Sequence, residues 1–170
     1  VLSGTGTFVN TITVNGGLVT STGTAGAVTL NAGGAISPGD TGTAGALTAD
    51  SLTWNSDNSI SGLHFDLGVD TAASDTISLT GAFTKGTGST FVFAFSDAGY
   101  APSVTYTLLS FDSTDFSLGD FSATGIAGTF SLTGTDLSFT TAAIPEPATC
   151  AAVLGVLALA GVVCRRRLRG

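Results

Sequence analysis

The stretch that most constrains this chain of 170 residues is its C-terminal end. Pro145-Glu146-Pro147 is followed by an uncharged run from Ala148 to Cys164, and then by Arg165-Arg166-Arg167-Leu168-Arg169. The prolines fix φ and remove backbone donors, so the entry is stiff and extended. Pro147 can also open a helix, where its missing N–H costs nothing. At ~1.5 Å per residue the run predicts a helix of about 25 Å, the short limit for a membrane span. Snorkelling arginines extend that reach. Glu146 at one end and the arginines at the other complement the helix dipole. Basic residues beside a span stay on the cytoplasmic side, so a single span with residues 1–144 outside the cytoplasm is expected. The alternative is a short buried helix followed by a basic tail.

This order of parts resembles the PEP-CTERM sorting signal of Gram-negative bacteria, carried here by Pro145, Glu146, Pro147, the apolar run, and Arg165, Arg166, Arg167 and Arg169. The resemblance implies an exported protein processed near Pro-Glu-Pro by exosortase, a membrane protease-transpeptidase, in bacteria that make exopolysaccharide. Cys150 departs from the aromatic or aliphatic residue expected there. The resemblance supplies an address, not an activity.

Composition narrows what the passenger can be. Residues 1–144 hold eleven Asp, no Glu and one basic residue, Lys85, for a formal charge of −10. Nucleic-acid binding needs a basic face, so that class is excluded as an expectation. The chain starts at Val1 and has no Met, which suggests a processed or partial chain with a secretory signal upstream. The only cysteines, Cys150 and Cys164, would lie about 21 Å apart on a helix, too far to bridge. They read as small apolar residues, with lipidation of Cys164 the alternative.

Before the tail, the pattern is that of strands. Residues 7–15 alternate, with Phe8, Ile12 and Val14 on one face, and Gly16-Gly17 ends the run. Gly23-Thr-Ala-Gly-Ala-Val28 returns as Gly42-Thr-Ala-Gly-Ala-Leu47. A second echo, an aliphatic residue, Thr, any residue and Asn, begins at Ile12, Val28 and Leu52. Short strands with Gly/Asn turns at irregular intervals of about twenty residues predict stacked β-solenoid coils. Asn31-Ala-Gly-Gly-Ala-Ile-Ser-Pro-Gly39 with Gly45-Ala-Leu-Thr48 resembles the autotransporter-associated β-strand repeat, which implies a right-handed parallel β-helix. Beyond Trp54 the strand candidates Ile60–Leu67, Ile77–Leu79, Phe91–Phe95, Val104–Leu108, Phe130–Leu132 and Leu137–Phe139 are more aromatic. They read as closing coils with an antiparallel cap, because an open end exposes core and strand edges. Asp97–Pro102 and Asp112–Asp115 read as turns.

Chemistry is sparse. His64 alternates with Phe65 and reads as a solvated residue on the face of Asp66, so no catalytic site is expected. No Gly-x-Ser-x-Gly elbow occurs. Asp66, Asp70 and Asp75 around one loop, and Asp112, Asp115 and Asp120 around another, are candidate calcium ligands, with turn formation the competing role. Gly4–Thr7 and Gly86–Gly88 read as turns, since no phosphate-loop Lys-Ser/Thr follows. Twenty-eight threonines include Thr11/Thr13 and Thr105/Thr107 pairs, but the irregular spacing predicts no in-register array.

The expectation is therefore all-β. Residues 1–60 form solenoid coils and 61–143 closing coils and an antiparallel cap. The linker and sorting motif occupy 144–147, one transmembrane helix 148–164, and a cytoplasmic tail 165–170. The function expected is a non-enzymatic, exported surface or matrix protein without a cofactor, anchored in the inner membrane until processed. A polysaccharide- or ice-binding module is the alternative, with Trp54, Tyr100 and Tyr106 as stacking candidates, although Trp54 alternates with Leu52 and reads first as a core residue.

Overall fold

The computed structural model describes residues 2–56 and 62–144, and these are all-β. The strands are β1 (Leu2–Phe8), β2 (Ile12–Val14), β3 (Gly17–Leu30), β4 (Gly34–Pro38), β5 (Ala46–Trp54), β6 (Leu63–Leu67) and β7 (Thr76–Leu79). They continue as β8 (Ala82–Lys85), β9 (Phe91–Asp97), β10 (Thr105–Ser110), β11 (Ser113–Thr114), β12 (Phe121–Thr124), β13 (Gly128–Leu132) and β14 (Asp136–Thr141). Two 3₁₀ turns, Thr71–Ala73 and Leu118–Asp120, are the only helical turns among the described residues. No helix among them is long and apolar enough to cross a membrane. The sorting motif at 145–147, the span at 148–164 and the basic tail at 165–170 lie outside the described residues, as does the boundary expected at 60/61.

All pairings among β1 to β12 are parallel. Long β3 is the hub. Its first residues pair with β4, its middle with β1 and its end with β2, while β5 runs along its second half. From there β5 continues to β7 and β8, and β4 to β6, β9 and β12. Antiparallel pairing enters only at β14, which lies between β10 and β13. The antiparallel C-terminal meander thus falls where the aromatic strand candidates place it.

Register distinguishes the two sequence echoes. Ile12 lies beside Val28, and Val28 beside Leu52, so the Ile/Val/Leu-Thr-x-Asn echo is the pairing register. The Gly-Thr-Ala-Gly-Ala echo is not. Gly23 pairs with Leu47, while Gly42 to Gly45 lie in the connection ahead of β5. The two glycine runs share composition because both need close backbone approach. Gly23 has φ of +144°, and a Cβ there would sit 2.3 Å from the Gly6 carbonyl oxygen.

Three local readings change. The strand expected over 7–15 is split between β1 and β2, leaving Val9 82% exposed in the break. Gly4–Thr7 lies inside β1 rather than in a turn, because Gly6 meets Gly23 of β3. Ser113-Thr114 of the expected 112–115 turn is a short strand beside Ala82 and Phe83.

One apolar cluster runs from Val14 to Phe139. At its N-terminal end it is made of Val14, Ala25, Val28 and Ala49, and farther along of aromatic rings. Trp54 is the pivot. It is 1% exposed, edge-on to Phe91 and Phe93 at 5.2 and 5.3 Å, and stacked on Phe83. Edge-to-face aromatic pairs add to the area buried, so these rings carry much of the core. Truncating Trp54 to Ala should cost about 3–5 kcal/mol and leave a cavity beneath Gly62 and Phe83. Chemical denaturation of the W54A variant checks this; a loss under about 1 kcal/mol would contradict the burial.

Candidate functional site

The acidic group of the β6–β7 region is one of the two carboxylate clusters that the sequence singles out. The structure uses its carboxylates on backbone rather than gathering them around an ion. Asp75 is fully buried at the start of β7. Its Oδ1 accepts the Gly45 N–H at 2.7 Å and its Oδ2 accepts the Asp66 N–H at 2.9 Å. In return the Asp75 N–H donates to the Asp66 carbonyl and the Thr76 N–H to the Gly45 carbonyl. Asp66 is buried as well, and its Oδ2 accepts the Gly42 N–H. Asp70 is exposed and faces its own 3₁₀ turn, where Oδ1 accepts the Ala73 N–H at 3.0 Å. Among the described residues no group of three or more His, Cys, Asp or Glu side chains is placed to hold a metal ion. Asp66, Asp70 and Asp75 therefore act here as turn and strand clamps: two fasten the β4–β5 connection, and the third caps a turn.

His64 corrects the expectation of a solvated face. It is half-buried on β6, in register with Ala94 of β9, and the neighbouring Asp66 is covered by the β4–β5 connection. Strand alternation gives the side of the sheet, and a connection whose Gly42 lies 24 residues from Asp66 in sequence decides whether that side is wet. The other acidic loop is also spent on structure. Asp120 pairs with Lys85 and accepts the Ser117 N–H and hydroxyl, and Asp115 accepts the Lys85 N–H. The Lys85 ammonium, with the Ser117 donors, holds the Asp120 carboxyl below its ordinary range. Asp97 forms the expected turn by accepting from Gly99 and Tyr100.

The aromatic stacking candidates divide. Trp54 and Tyr106 are buried, and the Tyr106 hydroxyl donates to the Gly68 carbonyl while accepting the Ala101 N–H. Only Tyr100 is partly exposed.

What sequence reasoning missed is a pair of hydroxyl files. Thr13, Thr29, Thr53 and Thr84 lie side by side across β2, β3, β5 and β8. Thr7, Thr24, Thr48, Ser78 and Ser110 do so across β1, β3, β5, β7 and β10. All are at least partly exposed. Neighbouring strands stand about 4.8 Å apart, so each file is a regular row. Beside the first runs an asparagine ladder. Asn31 donates to Asn15 at 2.6 Å, Asn55 to Asn31 at 2.8 Å, and the Asn55 oxygen accepts the Thr87 N–H. The signal was present in the aliphatic-Thr-x-Asn echo; connections of unequal length hid that its members align.

The buried Asp75 gives a pH test. Burial pushes its carboxyl from 3.8 up to about 7, overcoming two N–H bonds that pull it down, with the Asp66 carboxylate adding to the rise. The folded state therefore holds a proton that the unfolded chain has released between pH 3.8 and about 7. With more protons bound when folded, this contribution to stability falls as pH rises through that window and levels off above it. Calorimetric melting across the window should show the trend, superimposed on the opposite acid loss from Asp120. Asp75→Asn should flatten the Asp75 part and cost about 1–3 kcal/mol, since an amide –NH₂ then faces a backbone donor. An unchanged profile in the variant would exclude Asp75 as the source.

No protein-family model and no curated protein matches this chain, so its assignment rests on the residues and their geometry.

Proposed function

We propose that the chain is a non-enzymatic passenger built as a β-solenoid, exported and then released to the cell surface or matrix as a structural or adhesive element. The observation that carries this reading is the parallel register in which Ile12, Val28, Leu52 and Phe83 follow one another on successive strands. A chain that adds one strand to each of several files per circuit makes a rod whose length scales with the number of coils. Each coil presents the same small polar residues outward, and the buried carboxylates brace connections. Such a design supplies reach and a repetitive surface.

The C-terminal order of Pro145-Glu146-Pro147, apolar run and arginines supports the export route, by its resemblance to a PEP-CTERM signal. On this reading the apolar run is a temporary membrane handle, an exosortase-type enzyme cuts near the Pro-Glu-Pro, and the acidic passenger enters an exopolysaccharide-rich exterior. Mass spectrometry of the mature protein from culture should find a C-terminus near Pro147. An intact Gly170 recovered with the inner membrane would replace release by permanent anchoring.

A second reading, binding of a regular surface such as crystalline polysaccharide or ice, is favoured by one observation, the Thr13–Thr29–Thr53–Thr84 file. Rows of hydroxyl and methyl groups at a fixed strand repeat match a periodic partner better than a single small ligand. Thr53→Lys in the middle of the file should then abolish retention on insoluble polysaccharide, or ice-crystal shaping, while the melting temperature shifts little. If wild-type protein neither binds nor shapes, this second reading is lost and the structural one stands.

A further inference from the structure

We propose that the β4–β5 connection is a proton-controlled lid, closed over β6 in acid and opening toward neutral pH to uncover the Asp66 side of that strand. Its form is a short loop on a pinched base. Residues 40–44 are exposed, whereas Gly39 and Gly45 at the two ends are buried. Those ends touch. A Cβ on Gly45 would lie 2.5 Å from the Gly39 Cα, and one on Gly39 would lie 2.8 Å from the Thr43 carbonyl oxygen. A compact loop whose ends meet can swing as a unit, because a few residues at the base absorb the change. Gly39 and Gly42 have φ of +86° and +79°, so base and tip both use backbone that glycine enters freely. Within the loop the Thr43 N–H donates to the Asp40 carbonyl at 3.0 Å, a bond that needs nothing from the rest of the sheet.

Two buried carboxylates fasten this loop, and they act in series. Asp66 holds the tip through the Gly42 N–H. Asp75 holds the base through the Gly45 N–H, and its other oxygen holds the Asp66 N–H. A charge placed on Asp75 therefore acts on base and tip together. Asp75 has no exposed surface, so its carboxyl exchanges a proton with water only when something above it moves. The connection is what touches its Oδ1, and an open groove lined by Ala44, Gly45, Thr71, Ser74 and Thr76 lies alongside. That groove gives water a way in and the loop room to swing.

Burial sets the direction. An ionised carboxylate is costly in this corner, and opening hydrates it, so the closed lid favours the acid and the open lid the carboxylate. The Asp66 carboxylate, next to it on β6, opposes a second charge. Closing thus takes up a proton. Each pH unit between 3.8 and about 7 changes the open population by up to about tenfold, and the effect levels off above that window. Asp40 on the lid and Asp70 on the turn ahead of β7 are exposed, and the stretches of β5 and β10 that pair with β7 carry no charged side chain. The Tyr106 phenol is engaged with the Gly68 carbonyl. His64 lies on the Asp66 side of β6, and histidines titrate in the same range, so the test has to separate the two. Global unfolding releases the Asp75 proton as well, but the lid opens with the sheet intact. This inference rests on the bonds of one corner and holds under either reading of the function.

Amide exchange of the full chain, followed by NMR in a detergent that shields its apolar run, tests the lid. Protection of the Gly42 and Gly45 N–H groups, taken relative to an unstructured chain at each pH, should fall about tenfold or more between about pH 5 and about pH 7 and then level off. Low urea should leave both rates unchanged, because a local opening exposes little surface, while the Phe93 and Leu109 amides respond to it. Asp75→Asn should flatten the profile, and His64→Gln should leave it in place. In the wild type, with no substitution to disturb the corner, the carboxyl ¹³C resonance of Asp75 should titrate where protection levels off. Protection that stays flat across this range overturns the proposal. So does a profile that follows urea together with the core amides, one that vanishes in His64→Gln, or one whose midpoint departs from the Asp75 titration.

Discussion

Parallel pairing is the constraint on which the rest of this structure depends. Two segments that pair in parallel cannot be joined by a tight turn, so the chain has to travel before it returns; β3 meets β4 with its first residues only, and the rest of β3 covers the distance. In most proteins a helix covers that distance; here further strands do, and they become partners in turn. The outcome is visible in β3, which serves β1, β2, β4 and β5 at once. Each strand added beside β3 and β5 buries the inward file of the one before it. Only at the β13–β14 pair, where Phe130 faces Phe139, is this apolar cluster assembled from neighbours in sequence.

Such an arrangement creates polar problems at its corners, where connections cross strand ends without a ladder to satisfy them. A buried N–H left without an acceptor costs about as much as a lost hydrogen bond. Asp75, Asp66 and the asparagine ladder answer this with side-chain oxygens. Their service explains why an acidic loop can look like a cation site in sequence and be something else in the fold. A carboxylate facing two backbone donors has much of its acceptor capacity occupied. The same burial leaves Asp75 with its proton at a pH where an aspartate of the unfolded chain has lost its own, so this corner is sensitive to pH.

The core changes character along the chain. Small residues suffice where β1 to β5 lie close, and Gly23 and Gly6 permit that closeness. Around Trp54 the interior widens to take Phe83, Phe91, Phe93 and Phe116, and the C-terminal meander finishes it with Phe130 and Phe139. The C-terminal side therefore closes with rings and antiparallel pairing, whereas the β1–β5 region is built on close parallel contacts between small residues.

Period-two alternation by itself determined that the described residues are β, that Trp54 is a core residue, and that Phe91–Phe95 and Leu137–Phe139 are strands, because side-chain direction along a strand is a local property. The aliphatic-Thr-x-Asn echo even carried the true register of Ile12, Val28 and Leu52. Only the tertiary structure decided which echo was the register, that Gly4–Thr7 is strand rather than turn, that Asp66 and His64 are covered, and that the threonines align into files. The physical reason is common to all four. Each depends on which distant strand or connection lies alongside, and connections of unequal length erase that information from sequence spacing while leaving it intact in space.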